Sequence, residues 1–212
     1  MSRQLVPLRS RLSHCQKHAC AYLGAMTAQL ALFENDLTPA GLRYQPDFIT
    51  AEEEAELTSE IEKVDLKPFQ FGQFEGKRRV AWFGWQYDYS DRKLKRANDI
   101  PPWLGGLVSR VETFDGLEEG SIRQVLITEY EAGAGIGWHR DKPHFDWIFG
   151  LSLKSPCRLR FRRKAGANWE RFSLTATPRS LYRMAGASRH EWEHSIPDVE
   201  DLRYSVTFRT MA

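Results

Sequence analysis

Hydrophobic residues recur at helical spacing in two segments of the first half of the chain. In the first segment these residues are Leu57, Ile61 and Val64. Thr50 and Glu53 form a capping box where this helix would begin, and Pro68 is expected to end it. A second helix is predicted from Pro102 to Phe114, because proline suits the first turn of a helix.

The rest of the chain has the pattern of short strands. Residues 69–89 are rich in aromatic side chains and are interrupted by glycines, which predicts short strands or hairpins. From Ile122 onward, apolar and polar residues alternate in short segments. The predicted strands are 122–130, 147–153, 157–163, 168–174, 180–184, 190–194 and 203–209. Two helices followed by many short strands indicate a mainly β (α+β) fold with a sandwich or barrel core.

Composition narrows the class of protein without identifying it. The 212 residues suit one domain, and 42% hydrophobic with 27% charged residues is ordinary for a globular protein. No segment approaches the roughly 20 consecutive apolar residues of a membrane helix, so no membrane association is expected. The net charge of +2 is nearly neutral, so any nucleic-acid surface must be a local patch.

The N-terminal residues differ in composition from the rest. Residues 1–25 contain basic but no acidic side chains, which is typical of a transit peptide or of a polar tail. We expect residues 1–36 to be an extension that is flexible or translated from too early a start codon, with Met26 as the true start.

The three cysteines do not form a disulfide framework. They are Cys15, Cys20 and Cys157. An odd number at irregular spacing favours a reducing compartment, and we therefore expect a cytoplasmic protein. Cys15 and Cys20 lie near His14 and His18, but their spacing matches no standard zinc motif.

A metal site is predicted from His139 and Asp141. In an extended segment, residues two positions apart point to the same side, so both side chains could bind one metal. His194, just before the last strand, is the best candidate for a third ligand, with His144 and His190 as alternatives. Two imidazoles and a carboxylate form the facial triad of non-haem iron oxygenases. The same ligands also bind zinc, so a zinc hydrolase is the competing interpretation.

Two arginines of the last predicted strand favour iron over zinc. Arg203 and Arg209 are six residues apart and face the same way on a strand, with Ser205 and Thr207 between them. Such a row would be costly in a dry core unless an anion bound there, and guanidinium groups bind carboxylates in a bidentate fork. A dicarboxylate cosubstrate, 2-oxoglutarate, would explain both residues. The alternative is an edge strand with solvated arginines.

Together these motifs resemble the AlkB family of iron(II)/2-oxoglutarate-dependent dioxygenases. Residues 126–130 with 139–141 resemble the first metal-binding block of that family, and residues 188–196 its distal histidine block. Residues 203–209 resemble its closing motif. The resemblance extends from Leu126 to Arg209, and more weakly back to Leu37.

The resemblance implies a double-stranded β-helix (jelly roll) in residues 121–212, with N-terminal helices and a substrate lid in 37–120. The implied ligands of Fe(II) are His139, Asp141 and His194. The implied 2-oxoglutarate-binding residues are Tyr130, Thr128, Arg203, Ser205 and Arg209. The third reactant is O2.

The sequence departs from the family pattern at three positions. Thr128 and Ser205 stand where the family has asparagine, and both can still form hydrogen bonds. Pro143 stands where some members that act on nucleic acid have an acidic residue that helps to read the base.

The predicted reaction is oxidative demethylation of N-alkylated bases in DNA or RNA, as in the repair of alkylation damage. A flipped base needs aromatic surfaces and nearby cations. Candidates for these roles are Phe83, Trp85, Trp138, Arg78 and Arg160. The expected partner is single-stranded DNA or RNA, bound by a monomer. The alternative is an oxygenase that acts on a protein side chain or a small molecule, and a non-catalytic binding module is disfavoured because the triad is complete.

Overall fold

The computed structural model describes residues 38–71, 74–88 and 91–212. Within these ranges the helices are α1 (Ala51–Ile61), α2 (Pro102–Phe114) and α3 (Gly186–His190). The strands are β1 (Leu42–Gln45), β2 (Lys67–Phe71), β3 (Phe74–Phe83), β4 (Trp85–Asp88), β5 (Lys93–Arg96), β6 (Ile122–Tyr130), β7 (Ile136–His139), β8 (Phe145–Leu153), β9 (Cys157–Ala165), β10 (Asn168–Ala176), β11 (Leu181–Met184), β12 (Glu193–Ile196) and β13 (Arg203–Met211). The predictions for residues 1–36, including Cys15 and Cys20, lie outside the described residues.

The strands form two antiparallel sheets and one separate hairpin. The major sheet has the order β1-β11-β8-β13-β6-β3-β2, and the minor sheet has the order β10-β9-β12-β7. Strands β4 and β5 form the hairpin. Apolar side chains from both sheets pack together in one core, among them Ile148 and Met184 of the major sheet with Leu159 and Phe161 of the minor sheet. The predicted mainly β fold with a double-stranded β-helix is confirmed.

The major sheet presents different side chains to its two faces. Alternate residues of β6, β8 and β13 pack against the helices in a second core. The residues of this core include Val125, Ile127, Phe149, Leu151, Val206 and Phe208 from the strands, and Ile61, Leu104, Leu107 and Val111 from the helices. Because the side chains of a strand alternate, the intervening residues point toward the minor sheet, where the site is built.

Helix α1 begins as predicted and ends early. Thr50 and Glu53 form both hydrogen bonds of the capping box, but the helix ends at Ile61. The prediction that Pro68 ends it was wrong. Ile61 is fully buried and the chain turns immediately after it to enter β2. Pro68 lies within β2, an edge strand, where a missing N–H group is tolerated.

The predicted strand at 190–194 was also wrong in its bounds. Gly186 has a φ of 54°, and the following residues form the short helix α3. The side chain of Trp192 is then buried in the core, and β12 begins only at Glu193. Because buried Trp192 lies between a short helix and a short strand, this segment lacks the alternation of apolar and polar residues that would mark the start of β12.

Helix α2 has the predicted bounds, with proline in its first turn. Its buried Glu112 accepts a hydrogen bond from the backbone N–H of Ile122 at 2.8 Å, which ties the helix to the start of β6. None of the helices in the described ranges has the length and apolar character needed to cross a bilayer.

Gly150 offers a test of the packing between β8 and β11. Its Cα lies opposite that of Tyr182, and a Cβ added at Gly150 would overlap the buried phenol ring. We expect Gly150→Ala to lower the free energy of unfolding by about 1–3 kcal/mol in urea denaturation.

The matched control is Gly105→Ala on α2, where an added Cβ meets no atom within 4 Å. Alanine has the higher helix propensity, so this variant should gain up to about 1 kcal/mol. Equal stability of the two variants would contradict the packing described.

Candidate active site

Two adjacent strands of the minor sheet bring two histidines together. His139 ends β7 and is the register partner of His194 on β12. Their ring centroids are 4.2 Å apart. Asp141 follows two residues after His139, and its Oδ2 lies 3.6 Å from His194 Nε2. The ligand atoms of all three residues lie within 4.8 Å of one another, so they can share one metal ion.

The other two candidate ligands lie elsewhere. His190 is exposed and its Nε2 is 3.2 Å from Asp146 Oδ1. His144 packs against Tyr87, with ring centroids 5.7 Å apart. Neither residue belongs to the metal-binding group formed by His139, Asp141 and His194.

The surroundings keep both histidines ready to bind metal. His139 Nδ1 lies 2.8 Å from the carbonyl oxygen of Gly137, which leaves Nε2 available as the ligand atom. Burial lowers the pKa of His194 to about 3, with a further contribution from His139. A neutral imidazole is the form that binds a metal ion.

Asp141 is held as an anion by a buried ion pair. Its Oδ1 accepts a hydrogen bond from Arg209 at 2.6 Å. Burial acts to raise the pKa of Asp141, but the charges of Arg209, His194 and His139 hold that pKa well below its usual range. These residues therefore offer two imidazoles and one carboxylate, a donor set that fits Fe(II).

Arg189 holds the segment that follows Asp141. Its buried guanidinium donates hydrogen bonds of 2.7 Å to the carbonyl oxygens of both Lys142 and Phe145. Burial lowers the pKa of Arg189 from its usual value, and it lies close enough to Asp141 for their charges to interact. Arg189 belongs to the distal histidine block, which assigned it no role, and its hydrogen bonds make it a positioning residue for the carboxylate ligand.

The predicted 2-oxoglutarate-binding residues share one face of the major sheet. In the register of β6 and β13, Arg203 lies opposite Tyr130 and Ser205 lies opposite Thr128. Arg209 completes the row on β13. The guanidinium of Arg203 lies 5.2 Å from the centroid of the Tyr130 ring. Burial raises the pKa of the Tyr130 phenol, so its hydroxyl stays protonated and can donate a hydrogen bond.

Arg203 has hydrogen-bonding capacity that the protein leaves unused. The residue is 0% exposed. Its Nη2 donates to Ser152 Oγ at 3.2 Å, whereas its Nε and Nη1 have no partner. An unpaired buried N–H group is costly, and more so when it is charged. A carboxylate could accept from one of these groups together with Nη2, so Arg203 fits the distal carboxylate of 2-oxoglutarate.

Gln124 and Tyr182 belong to the same site although the motifs did not indicate them. Gln124 Oε1 accepts a hydrogen bond from Arg209 at 2.6 Å, which fixes the guanidinium from the side opposite Asp141. Tyr182, on β11, is buried beside the same cavity. Strand alternation could have indicated Gln124, because it shares the inward face of β6 with Thr128 and Tyr130. No predicted site residue lies on β11, so the same signal was lacking for Tyr182.

A cavity of about 550 Å³ opens above the metal-binding residues. Arg78 and Trp138, two of the predicted substrate residues, line it. Trp82 and Tyr87, which were not selected, also line it.

The other three predicted substrate residues do not line the cavity. Phe83 packs against the helical core, because from Arg78 to Phe83 the inward residues of β3 are the even-numbered ones. Trp85 follows the turn at Gly84, and its ring lies 5.5 Å from the guanidinium of Arg96. Arg160 lies on the outer side of the minor sheet, 5.1 Å from the Trp138 ring.

The family model described as the 2OG-Fe(II) oxygenase superfamily matches residues 41–209. The chain belongs to this superfamily. The predictions of an oxidoreductase and of a dioxygenase that uses Fe(II), 2-oxoglutarate and O2 are thereby confirmed. The predicted resemblance to AlkB is confirmed by two curated relatives. The roles assigned to individual residues stay predictions that the geometry supports.

Curated relatives of this oxygenase include two proteins with AlkB-type names. It is 30% identical over 192 residues to "Alkylated DNA repair protein ALKBH8 homolog" of Arabidopsis thaliana, covering 79% of this chain and 54% of that protein. It is 28% identical over 211 residues to human "Alpha-ketoglutarate-dependent dioxygenase alkB homolog 4", covering 81% and 67%. The oxygenase thus spans about half the length of the plant relative.

Solved structures share the fold of this oxygenase at low sequence identity. OsALKBH1 superposes with a TM-score of 0.62 at 14% identity, covering 83% of this chain and 99% of that one. A Pseudomonas putida prolyl-4-hydroxylase superposes with a TM-score of 0.55 at 17% identity, covering 90% and 99%. Both likenesses concern the fold alone.

Asp141→Asn tests the metal centre. The change keeps the shape of the side chain and removes its charge, so we expect Fe(II) affinity to fall by about 100-fold or more, by analogy with the loss of metal-site groups. Anaerobic titration with Fe(II) gives the measurement. The control is Asp146→Asn, which removes a carboxylate that is bonded only to exposed His190. Metal affinity equal to that of the wild type would exclude Asp141 as a ligand.

Arg203→Met tests the cosubstrate pocket through two opposite effects. Removing the guanidinium should raise the KM for 2-oxoglutarate by about 100-fold or more, since a charged hydrogen bond is lost. The protein without cosubstrate should be at least as stable as the wild type, because an incompletely paired buried charge is replaced by an apolar chain of similar volume. The control is Arg43→Met, which removes a surface partner of Asp115. This variant should leave the KM for 2-oxoglutarate unchanged.

Proposed function

We propose that this oxygenase removes N-methyl groups from bases in single-stranded DNA or RNA. The observation that carries the proposal is the cavity above the metal-binding residues, which is lined by Arg78, Trp82 and Tyr87. Trp138 lies where this cavity meets the outer side of the minor sheet. Aromatic rings can stack on an extruded base, and a cation can pair with a phosphate or with the base edge. The name of the Arabidopsis relative, a repair protein for alkylated DNA, adds support.

The residues of the centre have separate tasks in this reaction. His139, Asp141 and His194 would hold Fe(II), and Arg203 would bind the distal carboxylate of 2-oxoglutarate. When bound, Fe(II) with 2-oxoglutarate and O2 supplies the oxidising power to hydroxylate a C–H bond. A base seated against the aromatic side chains of the cavity would exclude water from the reacting atoms.

The proposed reaction balances without a further reductant. One oxygen atom of O2 enters the methyl group as a hydroxyl, and the other enters succinate as 2-oxoglutarate loses carbon dioxide. The N–CH2OH product then releases formaldehyde: the C–N bond breaks, and the hydroxyl proton moves to the base nitrogen. Succinate, carbon dioxide, formaldehyde and the unmethylated base are the products.

We propose that polar side chains of β3 recognise the edge of the base. Pro143 is exposed and is absent from the cavity lining, so its replacement of an acidic residue has no direct effect on the cavity. Glu75 and Arg78 line the cavity from β3. A carboxylate and a guanidinium offer acceptors and donors for the edge of a flipped base.

Oligonucleotides that carry one N-methylated base, as single-stranded DNA and as RNA, test the proposed function. We expect formaldehyde and succinate in equal amounts with at least one of them, and neither product from Asp141→Asn. The unmethylated oligonucleotide should yield no formaldehyde. If no methylated strand releases formaldehyde while a protein side chain or a small molecule is oxidised instead, the nucleic-acid assignment is wrong.

We further propose that the protein acts as a monomer in the cytoplasm. Residues 37–212 would be the dioxygenase domain, with lid and helices in 37–120 and the core in 121–212, preceded by an extension of residues 1–36. The buried free thiol of Cys157 supports a reducing compartment. Light scattering and cell fractionation measure the two properties.

A further inference from the structure

One side of the minor sheet carries an unusual density of positive charge. The side chains of Cys157, Leu159 and Phe161 on β9 point into the core, so the alternate residues point outward. These outward residues, with their neighbour on β10, are Arg158, Arg160, Arg162, Lys164 and Arg171. Among the outward-pointing residues of the described strands of this sheet, one is acidic. It is Glu193, which accepts a hydrogen bond from Arg162 at 2.6 Å. We name these five basic residues with Trp138 and Trp169 the cationic face.

Two tryptophans lie among these cations. The guanidinium groups of Arg160 and Arg162 lie 5.1 and 4.5 Å from the centroid of Trp138. Arg162 also lies 4.4 Å from the Trp169 ring, and Lys164 lies 5.1 Å from it. Cations that alternate with aromatic rings are the arrangement by which proteins bind single-stranded nucleic acid.

The charges of the cationic face are poorly compensated within the protein. Arg162 and Arg171 are direct partners in the register of β9 and β10, and like charges opposite each other destabilise a sheet. Arg158 bonds only to the Ser173 hydroxyl, and Arg171 only to a backbone carbonyl. The whole chain has 30 basic and 28 acidic residues, so this excess is local. An external polyanion would relieve the repulsion.

The cationic face begins at the mouth of the active-site cavity. Trp138 lines the cavity and also contacts Arg160 and Arg162. It directly precedes His139, the first metal-binding residue. Arg160 donates to Ser195 Oγ at 3.1 Å, and Ser195 directly follows His194. A strand with one base in the cavity would therefore meet this face next.

We propose that the cationic face binds the stretch of single-stranded nucleic acid that flanks the base in the cavity. Phosphates would pair with the arginines, and bases would stack on Trp138 and Trp169. Neighbouring outward residues of β9 are about 6.6 Å apart, so Arg158 and Lys164 are separated by roughly 20 Å. That length accommodates several nucleotides. The identity of the ligand rests on the proposed function. The binding experiment does not, because it requires no turnover.

Fluorescence anisotropy of an unmethylated 15-nucleotide dT strand measures binding without any turnover. The test variant is Arg158→Ala/Arg171→Ala, which removes two exposed cations outside the cavity. The control is Lys63→Ala/Arg123→Ala, two exposed cations beyond the cationic face. Both variants change the net charge equally, so a general charge effect would weaken them alike.

We expect the test variant to bind dT about tenfold more weakly at low salt, with the control equal to the wild type. The slope of log Kd against log salt should fall by about 1.4, or roughly 0.7 for each lost phosphate contact. In turnover of a methylated strand, the KM of a 15-mer should rise more than that of a methylated trinucleotide. Circular dichroism checks that both variants are folded.

Three outcomes would overturn the inference. One is equal binding of dT by the two variants, and another is failure of the wild type to bind dT and the corresponding RNA. The third is wild-type binding of polyglutamate in preference to dT, which would make the face a protein-docking surface. If the test variant loses dT binding but the wild type demethylates no strand, the cationic face still binds nucleic acid and the proposed reaction is wrong.

Discussion

The alternation of side chains along each strand of the major sheet is the constraint on which the site depends. On β13, Tyr204, Val206 and Phe208 are buried against the helices. The residues between them form the row from Arg203 to Arg209 that faces the minor sheet. A slip of one residue in register would exchange the two sets, which would bury the arginines among the helices and expose aromatic groups to the cavity. The apolar contacts with α1 and α2 therefore determine where the charged groups of the site lie.

The buried charged groups of the site lower the stability of the folded protein. Arg203 is fully buried with two unpaired N–H groups. Arg209 donates to Asp141 from one terminal nitrogen and to Gln124 from the other, while its buried Nε has no partner. A fold selected only for stability would replace such groups by apolar ones. The extensive apolar packing on the other face of the same strands offsets that cost, so the helical core and the site are energetically linked.

Much of this arrangement could be predicted because it is local in the sequence. The spacing of His139 and Asp141, the row from Arg203 to Arg209 and the bounds of α2 each depend on a few neighbouring residues. Features that depend on register were harder. Phe83 was favoured over Trp82 although only the latter lines the cavity, because the inward parity of β3 is set by its pairing with β6. The early end of α1 and the late start of β12 follow from buried contacts that distant residues provide.

The position of β13 has a consequence for how the chain matures during synthesis. This strand is central in the major sheet, paired with β6 on one side and β8 on the other, yet it comes last among the described strands. Until β13 has been translated, the edges of β6 and β8 that it covers have no native partner. Unpaired edges and exposed apolar surface promote association with other chains. The nascent polypeptide is therefore exposed to aggregation until β13 emerges and pairs with both strands.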